Sequence, residues 1–123
     1  MNGYIVNIEK ETLGNENFRK VLFTTERSQL VVMAVQTGDD IGMEVHEEHD
    51  QFIRIERGKA RVILNGEEIE VEDDFAIVIP AGTEHNIINT GEEVLKLYTI
   101  YTPPEHAPET IHETKAEAKE HHH

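Results

Sequence analysis

The chain has 123 residues, with 25 acidic against 11 basic side chains and a net charge of −14 at pH 7 when histidine is neutral. That length suffices for one small core, and the negative charge disfavours nucleic acid and anionic membranes as partners, which leaves a small molecule as the expected ligand. The absence of cysteine excludes disulfides, thiolate catalysis and thiolate metal sites.

The start of the chain shows no targeting signal. Residues 1–7 lack a basic region followed by an apolar one, so we expect no signal peptide. The longest apolar run, Leu30 to Val35, is too short to span a bilayer. We therefore expect a cytoplasmic protein that does not bind a membrane.

Short β-rich runs, separated by turn residues, follow one another along most of the chain. The Asn65-Gly66 pair is the strongest hairpin signal, because both central positions of a type I′ turn need a positive φ. Strands at roughly ten-residue spacing, with few helical stretches, predict an all-β sandwich or barrel. The predicted strands are Tyr4 to Ile8, Phe18 to Thr25, Leu30 to Thr37, Ile41 to His46, Gln51 to Glu56, Lys59 to Leu64, Glu67 to Val71, Phe75 to Ile79, His85 to Asn89 and Val94 to Tyr101.

The faces of these strands predict a cavity lined mainly by apolar side chains. Leu30 to Val35 is apolar on both faces, so its outer face should meet another sheet or a second subunit, and we expect a homodimer. The predicted inward side chains, besides the site residues, are Ile53, Ile55, Ala60, Val62, Leu64, Phe75, Ile77 and Ile79.

The segment after Pro103 has a different composition, with two prolines and then a charged run. We expect residues 1–103 to form the single barrel domain and residues 104–123 to form a charged tail, partly disordered or briefly helical. His106 and His112 should then be solvated. The closing His121-His122-His123 are either native or the remains of an affinity tag, and we assign them no role.

The most informative segment runs from Pro80 to Asn89 and reads P-x-G-x-x-H-x-x-x-N. Pro80 ends the preceding strand because it cannot donate to a sheet ladder, and Gly82 permits a tight turn. His85 then opens the next strand. A lone histidine at the start of a strand beside a tight turn is a candidate ligand.

A matching segment lies upstream between two glycines, Gly38 and Gly58. Within it, Glu44 and His46 share one face of a strand, because successive side chains alternate between faces. Gln51 follows on the next predicted strand. Two hairpins therefore offer four inward-pointing side chains as candidate metal ligands, which are Glu44, His46, Gln51 and His85.

These two segments resemble the paired motifs of the cupin superfamily, G-(x)5-H-x-H-(x)3,4-E-(x)6-G and G-(x)5-P-x-G-(x)2-H-(x)3-N. The second motif matches except at Asp74, which stands in place of the first glycine. In the first motif, Glu44 replaces the first histidine and Gln51 replaces the glutamate. The resemblance covers residues 38–89 and implies a double-stranded β-helix. The runs from Glu44 to Phe52 and from Leu97 to His106 look like those of small single-domain bacterial cupins, which are often named mannose-6-phosphate isomerase-like.

The resemblance implies a metal ion held by these four side chains. Imidazole and carboxylate ligands suit divalent Fe, Mn, Ni, Co and Zn, and an open coordination position would admit substrate or water. The set still contains one anionic ligand, Glu44, but the amide oxygen of Gln51 binds more weakly than a carboxylate. We therefore expect a divalent transition metal that is bound with reduced affinity.

Each candidate also has a structural alternative. His46 and His85 can hydrogen-bond to backbone carbonyls at the mouth of the barrel, Glu44 can be a solvated edge carboxylate, and Gln51 can bridge two strands. His49 lies on the opposite face from His46 unless a turn swings it inward.

Two function classes follow from this sequence. The first is a metal-dependent enzyme that isomerises, epimerises or dioxygenates a small polar metabolite. The second is a non-catalytic module that binds a sugar or organic acid with weak or no metal. The sequence does not name the substrate, because fold does not imply function.

Overall fold

The computed structural model describes residues 2–120, which form two antiparallel sheets with one short helix near each end. The all-β prediction is confirmed, and the arrangement is that of a double-stranded β-helix. In chain order the elements are α1 (Ile8–Gly14), β1 (Arg19–Thr24), β2 (Gln29–Val35), β3 (Asp50–Arg57), β4 (Ala60–Leu64), β5 (Glu67–Val71), β6 (Ala76–Ile79), β7 (His85–Asn89), β8 (Leu95–Thr102), β9 (Ile111–His112) and α2 (Lys115–Glu120).

The larger sheet has the order β6-β3-β8-β2-β1-β9 and the smaller one β5-β4-β7. Apolar side chains from both sheets form a single core cluster between them. The completely buried apolar members are Val31, Met33, Val35, Ile53, Ile55, Ala60, Leu95 and Leu97. No helix among residues 2–120 is long and apolar enough to cross a membrane.

Two of the predicted strands are corrected by the structure. Tyr4 to Ile8 forms no strand; the helix α1 begins at Ile8, and the side chain of Asn7 caps it by accepting from the backbone N–H of Lys10 at 3.0 Å. Ile41 to His46 forms no strand but a loop beside β7, with one isolated bridge at Glu44 and hydrogen bonds from the N–H groups of Ile41 and Gly42 to β7. The capping asparagine was the sequence signal for α1.

The residues predicted to point inward from β3, β4 and β6 are buried with two exceptions, of which Leu64 is only partly buried. Phe75 is 45% exposed because it precedes β6 and lies outside the alternation of that strand. Ile77 and Ile79, which lie within β6, point into the core as expected.

The turns follow the backbone preferences of their residues. Asn65 and Gly66 both have positive φ, and they join β4 to β5 as the predicted hairpin. Asp74, which stands where the family motif has glycine, also has a positive φ of 71°. Aspartate is one of the few non-glycine residues that tolerate this conformation, so the substitution preserves the turn.

The second apolar face of β2 is covered within the chain. Val32 and Ala34 are each 1% exposed, and α1 packs against β2, β3 and β8. Lys96, paired with Ala34 across the sheet, donates to the backbone carbonyl of Asn15 at the end of α1. The apolar character of Leu30 to Val35 therefore has an explanation inside the monomer. A homodimer remains a prediction, but the two apolar faces of β2 no longer give a reason for it.

Residues 104–120 pack on the barrel, and the charged run that was expected to be disordered or briefly helical forms the short helix α2. The short strand β9 pairs with β1, and Ala118 of α2 joins the core cluster. Gln29 holds the segment between β8 and β9 in place. Its Nε2 donates to the carbonyl of His106 at 2.7 Å, and its Oε1 accepts from the N–H of His106 at 2.9 Å. Composition did not reveal this packing, because it depends on backbone pairing. His121–His123 lie outside the described residues.

Gly58, between β3 and β4, should be sensitive to substitution. Its φ is +116°, and an added Cβ would lie 3.1 Å from Cδ1 and 3.3 Å from Cα of Leu95. We expect Gly58→Ala to lower the free energy of unfolding by about 2 kcal/mol or more. Gly38→Ala is the control, because Gly38 also has a positive φ but open space around it, and we expect a loss of about 1 kcal/mol. Urea denaturation measures both, and equal losses would exclude a cost from the Leu95 contact.

Candidate functional site

Backbone hydrogen bonds attach the loop before β3 to the start of β7. The N–H of Glu44 donates to the carbonyl of His85 at 2.9 Å, and the N–H of His85 donates to the carbonyl of Glu44 at 2.9 Å. The carbonyl of His46 also accepts from the N–H of Gly82 at 2.9 Å. As a result the rings of His46 and His85 lie with their centroids 5.2 Å apart. The structure thus brings together three of the four predicted site residues.

Glu44 and His46 form a close pair. His46 Nε2 lies 3.0 Å from Glu44 Oε2, with the side chains 9% and 25% exposed respectively. The hydrogen bond and charge of Glu44 raise the pKa of His46, although burial opposes this. Burial favours the neutral form of Glu44, but the hydrogen bond from His46 and the nearby positive charges together lower the pKa of Glu44. The pair therefore favours a carboxylate beside an imidazolium.

The ring of His85 is held in one orientation. Its Nδ1 lies 2.8 Å from the carbonyl oxygen of Thr83, which can only accept a hydrogen bond, so Nδ1 carries the proton. In the neutral ring this leaves the lone pair on Nε2. A histidine whose other nitrogen is fixed in this way is oriented as metal-binding histidines usually are.

Gln51 on β3 makes the cross-strand hydrogen bond that was its structural alternative, while its amide oxygen has no partner among the described residues. Its Nε2 donates to Thr99 Oγ1 at 3.0 Å, so the cross-strand hydrogen bond exists. Its Oε1 is buried and has no hydrogen-bond partner among the described residues. Buried polar atoms are normally paired, so this oxygen is an available acceptor for a ligand or a cation.

These donors match a divalent cation in type but are not assembled around one. Among residues 2–120 no three histidine, aspartate or glutamate side chains form a metal-binding group. Nε2 of His46 is engaged by Glu44. Imidazole nitrogen, carboxylate oxygen and a free amide oxygen are donor types that divalent transition metals accept.

Sequence reasoning missed the contribution of the segment after β8. Glu105 Oε2 lies 2.9 Å from His49 Nε2 and 3.6 Å from His46 Nδ1. His49 Nδ1 donates to the carbonyl of Pro103 at 2.7 Å, which directs this ring toward Glu105. The acidic residue directly after two prolines at the end of a strand was the available signal.

A second polar group surrounds Tyr101 on β8. Its ring lies 5.8 Å from that of His46 and 5.3 Å from that of His106. Burial, with the charge of Arg19, lowers the pKa of His106 to about 3, and burial raises the pKa of Tyr101. His112 is buried and accepts from Arg19. The expectation that both tail histidines are solvated is therefore corrected, because residues 104–120 fold over the barrel.

Comparison with known proteins places this site in a familiar scaffold. Residues 31–101 match the family model described as the cupin domain. The chain is 47% identical over 121 residues to the protein YrkC of Bacillus subtilis (strain 168), covering 94% of this chain and 65% of YrkC. The chain thus spans less than two thirds of the length of that relative.

Two solved structures are similar to this one. The crystal structure of BH2720 from Bacillus halodurans has a TM-score of 0.94 and 49% sequence identity, over 95% of this chain and 93% of that one. KdgF from a Halomonas species has a TM-score of 0.69 and 23% identity, over 85% and 96% of the two chains. At that identity the likeness to KdgF concerns the fold alone.

The Glu44 and His46 pair predicts a specific pH dependence. Because the fold raises the pKa of His46, protonation of this ring stabilises the folded state at pH values below the ordinary pKa of 6.5. This stabilisation is lost as the pH rises through the raised pKa. Because the fold lowers the pKa of Glu44, ionisation of this carboxyl stabilises the folded state at pH values above the ordinary pKa of 4.5. This stabilisation is lost as the pH falls through the lowered pKa. We expect Glu44→Gln to lower the pKa of His46 in NMR titrations with EDTA present. The stability lost by this variant should be greatest between pH 4.5 and 6.5.

Glu92→Gln is the matched control, because Glu92 is exposed and follows the end of β7 opposite to His85. It should leave the pKa of His46 unchanged. An unchanged pKa of His46 in Glu44→Gln itself would contradict the pair.

Proposed function

The chain belongs to the cupin family, and from that premise we propose that it binds a small polar metabolite at a weakly held divalent transition metal. The proposed reaction is an isomerisation, an epimerisation or a dioxygenation. The proposed ligands of the metal are Glu44, His46, Gln51 and His85.

The observation that carries this proposal is the unpartnered oxygen of Gln51. It is buried in a sheet where the amide nitrogen of the same side chain donates to Thr99, which leaves Oε1 without a partner among the described residues. A buried acceptor without a donor costs roughly 1–3 kcal/mol. A cation or a ligand donor at this oxygen would recover that cost, whereas a purely structural cross-strand role uses only the nitrogen.

The chain's own residues supply orientation and a proton site. Thr83 fixes the ring of His85, and Glu105 lies beside Nδ1 of His46. His46 and Glu44 hold a proton between Nε2 and Oε2 when no cation is present. A bound cation would supply Lewis acidity toward a substrate oxygen. Cation and proton therefore compete for the same atoms, and metal affinity should rise with pH.

A second candidate is a non-catalytic module that binds a sugar or organic acid without a metal. It is favoured by the close hydrogen bond between Glu44 and His46, which satisfies both side chains in the absence of any cation. In that case the oxygen of Gln51 accepts from a hydroxyl of the ligand. Membership in the mannose-6-phosphate isomerase-like group stays a prediction under both candidates.

Replacing Gln51 by glutamate separates the two candidates. If the amide oxygen is a ligand, Gln51→Glu supplies a carboxylate and should tighten binding of Mn(II) or Zn(II) by about tenfold, worth about 1.4 kcal/mol. Without metal the same change should lower stability, because it buries a charge and removes the donor to Thr99. Thermal melts with EDTA and with excess metal measure both effects.

The melts use chains that end at Glu120, so that the terminal histidines bind no metal. Gln36→Glu is the control, because it adds the same charge at an exposed position. A Gln51→Glu variant that is destabilised and unaffected by every metal would remove Gln51 from the site. If no metal changed the melting temperature of the unsubstituted chain either, the metal proposal would be rejected and the non-catalytic module would remain.

A further inference from the structure

A cavity of about 200 Å³ is lined by Glu44, by residues next to it in the loop before β3, by the start of β1 and by α2. Its wall combines an apolar part with cationic side chains. Phe18, Ile41 and Ala118 are among the apolar side chains, and the cations come from β1 and α2. The cationic residues are Arg19, Lys115 and Lys119.

Arg19 is a buried cation without a carboxylate partner. Arg19 is 7% exposed, and it takes part in none of the ion pairs formed by the described residues. Nη1 donates to His112 Nδ1 at 3.3 Å, the guanidinium lies 5.2 Å from the ring centroid of Phe18, and the buried Nε has no hydrogen-bond partner. A buried charge is costly unless it is paired, so an anion should bind here.

Lys115 pairs with both Asp39 and Asp40, Glu44 pairs with His46, and Lys119 is exposed. Arg19 is the buried cation of the wall that forms no ion pair among the described residues, although its charge acts on Glu44 and it hydrogen-bonds to Tyr101. One guanidinium among paired acids suits a singly charged anion better than a doubly charged phosphate, because the nearby carboxylates repel the second charge.

We propose that Arg19 binds the carboxylate of a small organic acid in this cavity, with the hydrocarbon part of the acid against Phe18 and Ile41. A planar guanidinium matches the two oxygens of a carboxylate, and the apolar wall gains from contact with methylene groups. The inference rests on the proposed function in one respect, since Glu44 lines both the cavity and the candidate metal site. It names the substrate class of that site as a short-chain monocarboxylate.

Butyrate, butyramide and inorganic phosphate test this proposal on the full chain with EDTA present. Butyrate should raise the melting temperature, whereas the amide, which has the same size but no charge, should not. Butyrate should also shift the side-chain Nε–H signal of Arg19 in ¹⁵N NMR spectra. This NMR measurement is made on the unsubstituted protein. Equal effects of butyrate and butyramide, a stronger effect of phosphate, or an unmoved Arg19 signal would overturn the proposal.

Arg19→Gln keeps a hydrogen-bonding side chain but removes the charge, and it should weaken butyrate binding by about tenfold or more. The control is Arg61→Gln, because Arg61 lies on β4 and pairs with Glu70 at an exposed position. Butyrate affinity should be unchanged in Arg61→Gln. Unchanged affinity in Arg19→Gln, or an equal loss in both variants, would show that the binding is not specific to Arg19.

The test is independent of the metal. Butyrate binding with EDTA present and no metal response in the melts would support the carboxylate site and reject the metal. A metal response without butyrate binding would support the proposed function and reject this inference.

Discussion

The two hydrogen bonds exchanged between Glu44 and His85 bring the loop that carries Glu44 and His46 against His85. Each backbone N–H donates to the carbonyl of the other residue at 2.9 Å, so an otherwise irregular loop is tied to the first residue of β7. His46, two residues along the loop, then faces His85 across 5.2 Å between ring centroids. Because backbone bonds set this geometry, the side chains of the site can change while their positions are kept. That explains how glutamate can occupy a position where the family motif has histidine.

Polar atoms without partners are concentrated around Tyr101. Gln51 is its neighbour across the sheet, His106 contacts its ring, and Arg19 lies close enough to influence its pKa. Each of these three residues has a buried nitrogen or oxygen with no partner among the described residues. Folding accepts such a cost where a ligand recovers it on binding. The same interior region therefore supports both the metal proposal and the carboxylate proposal.

Local signals in the sequence were sufficient for most of the fold. Positive φ at Asn65 and Gly66 made the β4–β5 hairpin predictable, and alternation identified the buried faces of the strands. The motif spacing of Glu44, His46 and His85 selected three residues that the fold brings together, although Glu44 and His46 lie on a loop and not on the predicted strand. Errors came where local preference was ambiguous, as at the start of α1, where the apolar residues also suited a strand.

The sequence by itself determined the β architecture, the turns and the identity of the candidate ligands, since all of these depend on residues close together in the chain. Only the tertiary structure decided that Glu105, His106 and His112 belong to the site and that Arg19 is a buried cation without a carboxylate partner. Those facts depend on the pairing of β9 with β1 and on the hydrogen bonds of Gln29 to the segment after β8. Contacts between residues far apart in sequence leave no periodic pattern, so the folded chain alone revealed them.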